Sequence, residues 1–95
     1  MAQYFVSRHV GAHEWAARQG FGYVEVVSHF DAEYVKQGDV VIGTLPVQLA
    51  CRVCERGGEY LHLTLDIRPE DRGQEISADR MEELGARVER FVIHR

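Results

Sequence analysis

The segment from Ser7 to Gly11, with the sequence Ser-Arg-His-Val-Gly, combines residue types that could bind an anion and move a proton. It follows a predicted strand and precedes a predicted helix, whose first N–H groups and dipole favour negative charge. Arg8 adds a planar guanidinium that matches phosphate, and His9 adds an imidazole that titrates near neutral pH. We predict a phosphate-binding corner with Ser7 and Gly11 as ligand contacts. The alternative is a polar loop with a surface histidine.

Two further polar clusters could border the same site. His29 and Asp31 follow the second predicted strand and could act as a proton-transfer or ligand-contacting pair. In the alternative, Asp31 only caps a short helix and His29 is a solvated turn residue. Arg72 and Gln74 lie in the longest irregular segment, and such loops often carry function when they border a site. A solvated charged loop is the alternative there.

The tetrapeptide Gly43-Thr44-Leu45-Pro46 follows the third predicted strand and opens a predicted helix, with the proline near its first turn. Thr44 either caps that helix or joins its backbone in a cradle for a phosphate or a ribose. Both roles can hold at once. We therefore predict ligand contacts along this tetrapeptide.

Several other motifs argue against cofactor chemistry. Cys51 and Cys54 form a C-x-x-C inside a predicted helix, whereas a redox motif needs its first cysteine at the helix start. We interpret them as structural thiols. His9, His13 and Glu14 faintly suggest metal ligands, but no further ligand follows at a suitable interval. The chain has no complete dinucleotide-binding fingerprint and no P-loop. We expect neither a metal nor a cofactor.

Apolar runs alternate with amphipathic stretches, which is typical of a β-α-β series. Strands are predicted at 3–7, 23–28, 39–43, 59–66 and 91–94, and helices at 11–19 and 44–56, with one or two helical turns at 31–37. Ser77 caps a last helix, in which Met81, Leu84, Val88 and Phe91 keep helical spacing.

These elements predict one α/β domain spanning residues 1–95, with a mainly parallel sheet of about five strands and flanking helices. The third strand is short and nearly all apolar, so we expect it to be central. Ligands of such sheets bind outside the carboxyl ends of the strands. The polar clusters that follow the strands should therefore meet at one edge.

Composition sets further limits. The 95 residues carry a net charge of −4, which argues against wrapping duplex DNA but not against a small anion in a local basic pocket. No apolar run is long enough to span a membrane, and the first residues resemble neither a secretory signal nor a transit peptide. We expect a cytoplasmic protein without a membrane partner. The small core, without disulfide staples, favours a homodimer.

Four segments together resemble a known family. They are Ser7-Arg8-His9-x-Gly11-Ala12-x-Glu14-Trp15, His29-Phe30-Asp31, 38–47 with the sequence GDVVIGTLPV, and 72–75 with the sequence RGQE. In order and spacing they are similar to small CRISPR-associated proteins of type III systems, family sixteen of the Csx series. The segment 38–47 is the most specific part. Val10 stands where many relatives have proline.

The resemblance implies a compact Rossmann-like fold related to CARF domains, which bind cyclic oligoadenylate messengers, usually across a dimer two-fold. It also implies ring-nuclease activity, the opening of cyclic tetra-adenylate to damp the antiviral response. On this basis Arg8 is expected to stabilise charge on the phosphorus, and His9 or His29 to transfer a proton. Binding of the messenger without cleavage, as a sensor or sponge, and a plain interaction module stay open as alternatives.

Overall fold

The computed structural model describes residues 2–7, 10–20, 25–27 and 30–95. Its strands and helices are, in chain order, β1 (Gln3–Val6), α1 (Val10–Arg18), β2 (Glu25–Val27), β3 (Val40–Gly43), α2 (Val47–Glu55), β4 (Glu59–Thr64), α3 (Ala78–Glu83) and β5 (Arg87–Phe91). Short 3₁₀ turns lie at Ala32–Tyr34 and Pro69–Asp71. The predicted mixed α/β class is confirmed.

The sheet is open and mostly parallel. β1, β3 and β4 run side by side in the same direction, and the three-residue β2 pairs in parallel with the other side of β1. β5 pairs with β4 in the antiparallel direction, so the strand order is β2-β1-β3-β4-β5. The central position predicted for β3 is confirmed.

Each face of the sheet has its own apolar cluster. On one face, Phe5 and Ile42 pack with Trp15 of α1 and Met81 of α3. On the other face, Val41 and Tyr60 pack with Ala50 and Val53 of α2 and with Val35. The alternation of side chains along β1, β3 and β4 places these two sets on opposite sides. The sheet thus lies between α1 and α3 on one face and α2 on the other. The carboxyl ends of its parallel strands lie together at one edge, between these two layers.

The last helix is shorter than predicted. Ser77 caps α3 as expected, with its side chain accepting a hydrogen bond from the N–H of Arg80. The helix ends at Glu83 because Gly85 adopts a φ of +71°, and the N–H of Ala86 then donates to the carbonyl of Met81. This is a Schellman motif, which reverses the chain direction.

The helical spacing predicted through Val88 and Phe91 is therefore wrong, because both residues belong to β5. The predicted strand at 91–94 is displaced to Arg87–Phe91, and it runs antiparallel to its neighbour. The N–H of Asp66 donates to the carbonyl of Leu84, so the end of α3 lies at the carboxyl end of β4, and β5 runs back along β4 from there.

No helix among the described residues is long and apolar enough to cross a membrane.

Candidate functional site

A cavity of about 560 Å³ opens at the carboxyl ends of β1, β3 and β4. The sheet order reverses at this point, since the chain moves from β1 to β2 on one side and to β3 on the other. In open α/β sheets this reversal leaves a crevice in which ligands bind. The cavity is lined by Val6, Ser7, Ala12, Phe30, Thr44, Leu45, Pro46, Leu49, Leu63, Leu65, Ile67, Ile76 and Met81.

Four residues predicted as ligand contacts line this cavity, namely Ser7, Thr44, Leu45 and Pro46. They come from segments far apart in the sequence, and the parallel pairing of β1 with β3 brings them together. Gly43 lies directly before them and pairs with Val6. A Cβ atom at this glycine would lie 2.6 Å from the carbonyl oxygen of Val6, so only glycine allows the two backbones to approach this closely.

The turn between β3 and α2, residues Gly43 to Leu45, is held from β4. The hydroxyl of Tyr60 donates a hydrogen bond to the Gly43 carbonyl at 3.1 Å and accepts one from the Leu45 N–H at 3.0 Å. The hydroxyl of Thr44, between those two residues, donates to the carbonyl of Leu63 at 3.4 Å. Three contacts with one neighbouring strand thus fix the turn that forms one wall of the cavity.

These contacts correct the role predicted for the turn as a helix cap. The N-cap of α2 is Pro46, which makes no side-chain capping bond, so Thr44 does not cap the helix. The Leu45 N–H is already bonded to Tyr60, so it is not a donor for a ligand. In the first turn of α2, the N–H groups of Leu49 and Ala50 both donate to the Pro46 carbonyl. The N–H groups of Val47 and Gln48, which lie between the lining residues Pro46 and Leu49, have no intrahelical acceptor.

Tyr60 and His62 do not line the cavity, but Tyr60 holds the turn at its wall and His62 contacts Tyr60, and sequence reasoning missed both residues. Tyr60 is 1% exposed, and its hydroxyl oxygen lies 2.6 Å from Nδ1 of His62. Burial raises the pKa of the Tyr60 phenol, so it stays protonated at neutral pH. The sequence carried a signal for this pair, because Tyr60 and His62 are two residues apart in a predicted strand and so lie on the same face. A tyrosine on a buried face needs a partner for its hydroxyl.

Arg72 and Gln74 line a second cavity, of about 760 Å³, instead of the first. The two cavities share Ile67 and Ile76, so they adjoin. The loop that carries both residues is pinned to α3 by a bidentate ion pair between Arg80 and Asp71, with both N–O distances at 2.9 Å. The Arg80 guanidinium holds the pKa of the Asp71 carboxyl below its ordinary value.

Gly11 and Asp31 have structural roles that account for their residue types. A Cβ atom at Gly11 would collide with the carbonyl oxygen of Ile76, so this glycine lets α1 touch the segment before α3. Asp31 is exposed and caps the 3₁₀ turn, with its Oδ1 accepting from the N–H of Glu33 at 3.0 Å. This is the capping alternative noted for Asp31.

The three predicted catalytic residues, Arg8, His9 and His29, lie outside the described residues. Their neighbours in the sequence are informative nevertheless. Ser7 and Phe30 both line the first cavity, and they directly precede Arg8 and directly follow His29. The catalytic roles of all three residues stay predictions.

The cysteines lie in α2 and are not among the residues that line the cavity. Cys51 is buried, Cys54 is partly buried, and both are free thiols. Within the described part of the chain, no group of three or more His, Cys, Asp or Glu side chains could hold a metal ion.

Comparison with known proteins gives one match. A family model described as "Putative CRISPR-associated protein (Cas_VVA1548)" matches residues 4–94, which is nearly the whole chain and includes every strand except the first residue of β1. No curated protein and no solved structure matches the chain.

Proposed function

The chain belongs to this CRISPR-associated family, and on that premise we propose that it is a ring nuclease of type III CRISPR defence. Its substrate would be cyclic tetra-adenylate, and opening the ring would damp the antiviral response. The observation that carries the proposal is the cavity at the carboxyl ends of β1 and β3. The order of the first four strands, β2-β1-β3-β4, also agrees with a doubly wound, Rossmann-like domain of the CARF type.

The lining of the cavity suits a nucleotide base. Apart from Ser7 and Thr44, the side chains facing it are apolar, and they include Phe30 and Met81. Binding pockets for small ligands combine such apolar walls with a few polar groups that fix orientation. An adenine would bury its ring faces against these walls. The N–H groups of Val47 and Gln48 at the start of α2 are then suited to bind an adjoining phosphate, whereas the Thr44 hydroxyl already donates its proton to the carbonyl of Leu63.

The proposed reaction needs no nucleophile from the protein. A ribose 2′-OH attacks the neighbouring 3′-phosphate, the bond from phosphorus to the 5′-oxygen breaks, and a 2′,3′-cyclic phosphate and a free 5′-OH result. The 2′-OH loses a proton to a base, and the leaving 5′-oxygen takes one from an acid. Holding the two oxygens in line with phosphorus supplies much of the rate. Cleavage is expected to persist in EDTA.

We assign the roles in this reaction to residues that adjoin the cavity in the sequence. Arg8 follows Ser7 and would stabilise the charge that develops on the phosphorus oxygens. His9 or His29 would transfer the proton, a role typically worth about 10²–10⁴-fold in rate. We favour His9, because it shares a segment with Arg8 immediately before α1.

A cyclic tetranucleotide has approximate two-fold symmetry, so we propose that two copies of the chain bind one ring in the cytoplasm. Light scattering at tens of micromolar, with and without ligand, should then give at least the mass of a dimer. A monomer under both conditions would contradict this part of the proposal.

The decisive experiment is cleavage of a panel of labelled cyclic oligoadenylates by the wild-type chain and by Arg8→Ala, His9→Ala and His29→Ala. His94→Ala is the matched control, since His94 is exposed and, among the described residues, forms a hydrogen-bond contact with the adjacent Arg95. Single-turnover rates and equilibrium binding are measured separately. We expect Arg8→Ala to weaken both. One histidine variant should cut about 10²-fold more slowly with its affinity intact.

Other outcomes discriminate the remaining functions. Tight binding without ring opening would favour a non-catalytic sensor or sponge. If the chain neither binds nor cleaves any of these rings, an interaction module remains as its function. Wild-type rates in both His9→Ala and His29→Ala would exclude imidazole catalysis, and positioning with charge stabilisation would then have to supply the rate.

A further inference from the structure

We propose that Tyr60 and His62 are positioning residues of the site, which together hold the turn from Gly43 to Leu45 in the conformation that accepts a ligand. The claim that the turn accepts a ligand rests on the function proposed above. The claim that Tyr60 and His62 hold the turn concerns the free protein, so it can be measured without any ligand.

The hydrogen bonds of the Tyr60 hydroxyl define the arrangement. A phenol oxygen donates one hydrogen bond and accepts two. Its three neighbours here are the Gly43 carbonyl at 3.1 Å, the Leu45 N–H at 3.0 Å and Nδ1 of His62 at 2.6 Å. The carbonyl can only accept and the amide can only donate. All three bonds can therefore form only when His62 donates from Nδ1.

The surroundings of His62 keep its ring in place. The ring meets the Tyr60 ring with 5.7 Å between centroids and the Phe91 ring with 5.8 Å, both edge to face. Its strand neighbours are Gly43 on β3 and Glu89 on β5. Glu89 is paired with Arg87 at 3.5 Å, and no ion pair joins it to His62 among the described residues. Packing and register thus orient Nδ1 toward the hydroxyl.

This arrangement separates the two ring nitrogens of His62. Nδ1 is the nitrogen that lies 2.6 Å from the Tyr60 hydroxyl, so the proposal requires that this nitrogen carry the ring proton of the neutral imidazole.

Loss of the hydroxyl would release the turn at both ends. In Tyr60→Phe, the Leu45 N–H and the Gly43 carbonyl lose their bonds to the phenol, and the Thr44 side chain between them keeps its 3.4 Å bond to Leu63. A buried donor left without an acceptor shifts a local equilibrium by about tenfold or more. Thr44 and Leu45 line the cavity, so the same change should weaken ligand binding.

The test compares Tyr60→Phe, His62→Leu and His62→Asn. Asparagine can place its amide N–H near the position of Nδ1 and keep the donor, whereas leucine cannot. Tyr34→Phe is the matched control, since the side chain of this tyrosine is 72% exposed and its hydroxyl removal leaves the turn untouched. Val35→Ala, in the buried cluster on the α2 side, controls for a general loss of stability.

Three quantities are measured in these variants. Amide hydrogen exchange at Leu45 in the free protein should accelerate about tenfold in Tyr60→Phe, less in His62→Leu, and little in His62→Asn. The Kd for cyclic tetra-adenylate should rise in the same order. Nitrogen NMR of the His62 ring in the wild-type chain should show a proton on Nδ1 in the neutral form. Tyr34→Phe and Val35→Ala should leave the Kd within about twofold.

The outcomes separate the two proposals. If Leu45 exchange and the Kd are unchanged in Tyr60→Phe, or if neutral His62 carries its proton on Nε2, the positioning role is wrong. If the wild-type chain does not bind cyclic tetra-adenylate but Leu45 exchange accelerates as expected, the ring-nuclease function fails and the holding of the turn stands. If Tyr60→Phe does not fold, the comparison rests on the two His62 variants. Equal rates of Leu45 amide exchange and equal Kd values in His62→Leu and His62→Asn would overturn the proposal.

Discussion

Replacement of Gly11 by alanine should destabilise the protein, although helix propensity alone predicts the opposite. Gly11 lies in α1, where alanine is about 1 kcal/mol more favourable than glycine. However, its Cβ atom would collide with the carbonyl oxygen of Ile76 and lie 2.9 Å from Cα of Ser77. Carbon atoms in favourable contact are about 3.5–4.0 Å apart, so the backbone before α3 would have to move.

The size of the effect follows from two opposing contributions, the gain in helix propensity and the cost of the collision. Overpacking of a close contact typically costs about 1–3 kcal/mol, and a collision with backbone belongs at the upper end because no side chain can rotate away. After subtraction of the propensity gain, a net loss of about 2 kcal/mol remains. For a domain of this size, that corresponds to a Tm lower by about 8–16 °C.

Thermal unfolding of Gly11→Ala beside Gly20→Ala would test this reasoning. Gly20 adopts a φ of +89°, and a Cβ atom there would have no heavy atom within 4 Å, so its substitution costs about 1–2 kcal/mol of backbone strain without any collision. Only Gly11→Ala should also perturb the amides near Ile76, which lines both cavities. A Tm for Gly11→Ala at or above the wild-type value would refute the argument from close approach.

Three further changes probe other parts of the molecule. The pKa of the Asp39 carboxyl is lowered by hydrogen bonds from the N–H groups of Ala2 and Lys36, so its stabilisation is present above pH 3.8 and is lost as the pH falls below that value. The Tm difference between wild type and Asp39→Asn should therefore shrink in acid. Arg80→Ala should accelerate proteolysis of the loop that carries Arg72 and Gln74, whereas Arg18→Ala, which breaks ion pairs between α1 and α3, should not. Replacing both α2 cysteines with serine should lower the Tm but leave ligand affinity unchanged.

The fold could be predicted wherever local signals agree with tertiary pairing. Apolar runs and alternation identified the first four strands, and the cap at Ser77 located the start of α3. The prediction failed after Gly85. Val88 and Phe91 lie three residues apart, and this spacing also occurs by chance in a strand that carries apolar side chains on both faces. Val88 packs on one face of the sheet, while Phe91 is 45% exposed on the other. Gly85 was the stronger signal, since its positive φ ends the helix.

The site was predictable at the level of segments but not of contacts. Knowing that parallel strands share a carboxyl edge was enough to bring Ser7, Thr44 and Pro46 to one cavity. Sequence could not show that Leu45 gives its N–H to Tyr60, because the two residues meet only through the pairing of β3 with β4. Long-range hydrogen bonds depend on register, and register follows from packing of the whole sheet.

The apolar lining of the cavity implies that, in the proposed function, one set of groups binds the base and another set contacts the phosphate. With Ser7 and Thr44 as the polar side chains among its lining residues, the cavity can hold a base but cannot neutralise a phosphate. The Leu45 N–H is already bonded, so under the proposed function the charge of a nucleotide would have to be met by the start of α2 and by Arg8, which follows Ser7 in the sequence. Burial of the base would contribute to affinity, and Arg8 would contact a phosphate in both the ground state and the transition state. Under the proposed function, a chain with a net charge of −4 would bind an anionic ring through a few local donors, because short-range contacts with a phosphate do not depend on the net charge of the whole chain.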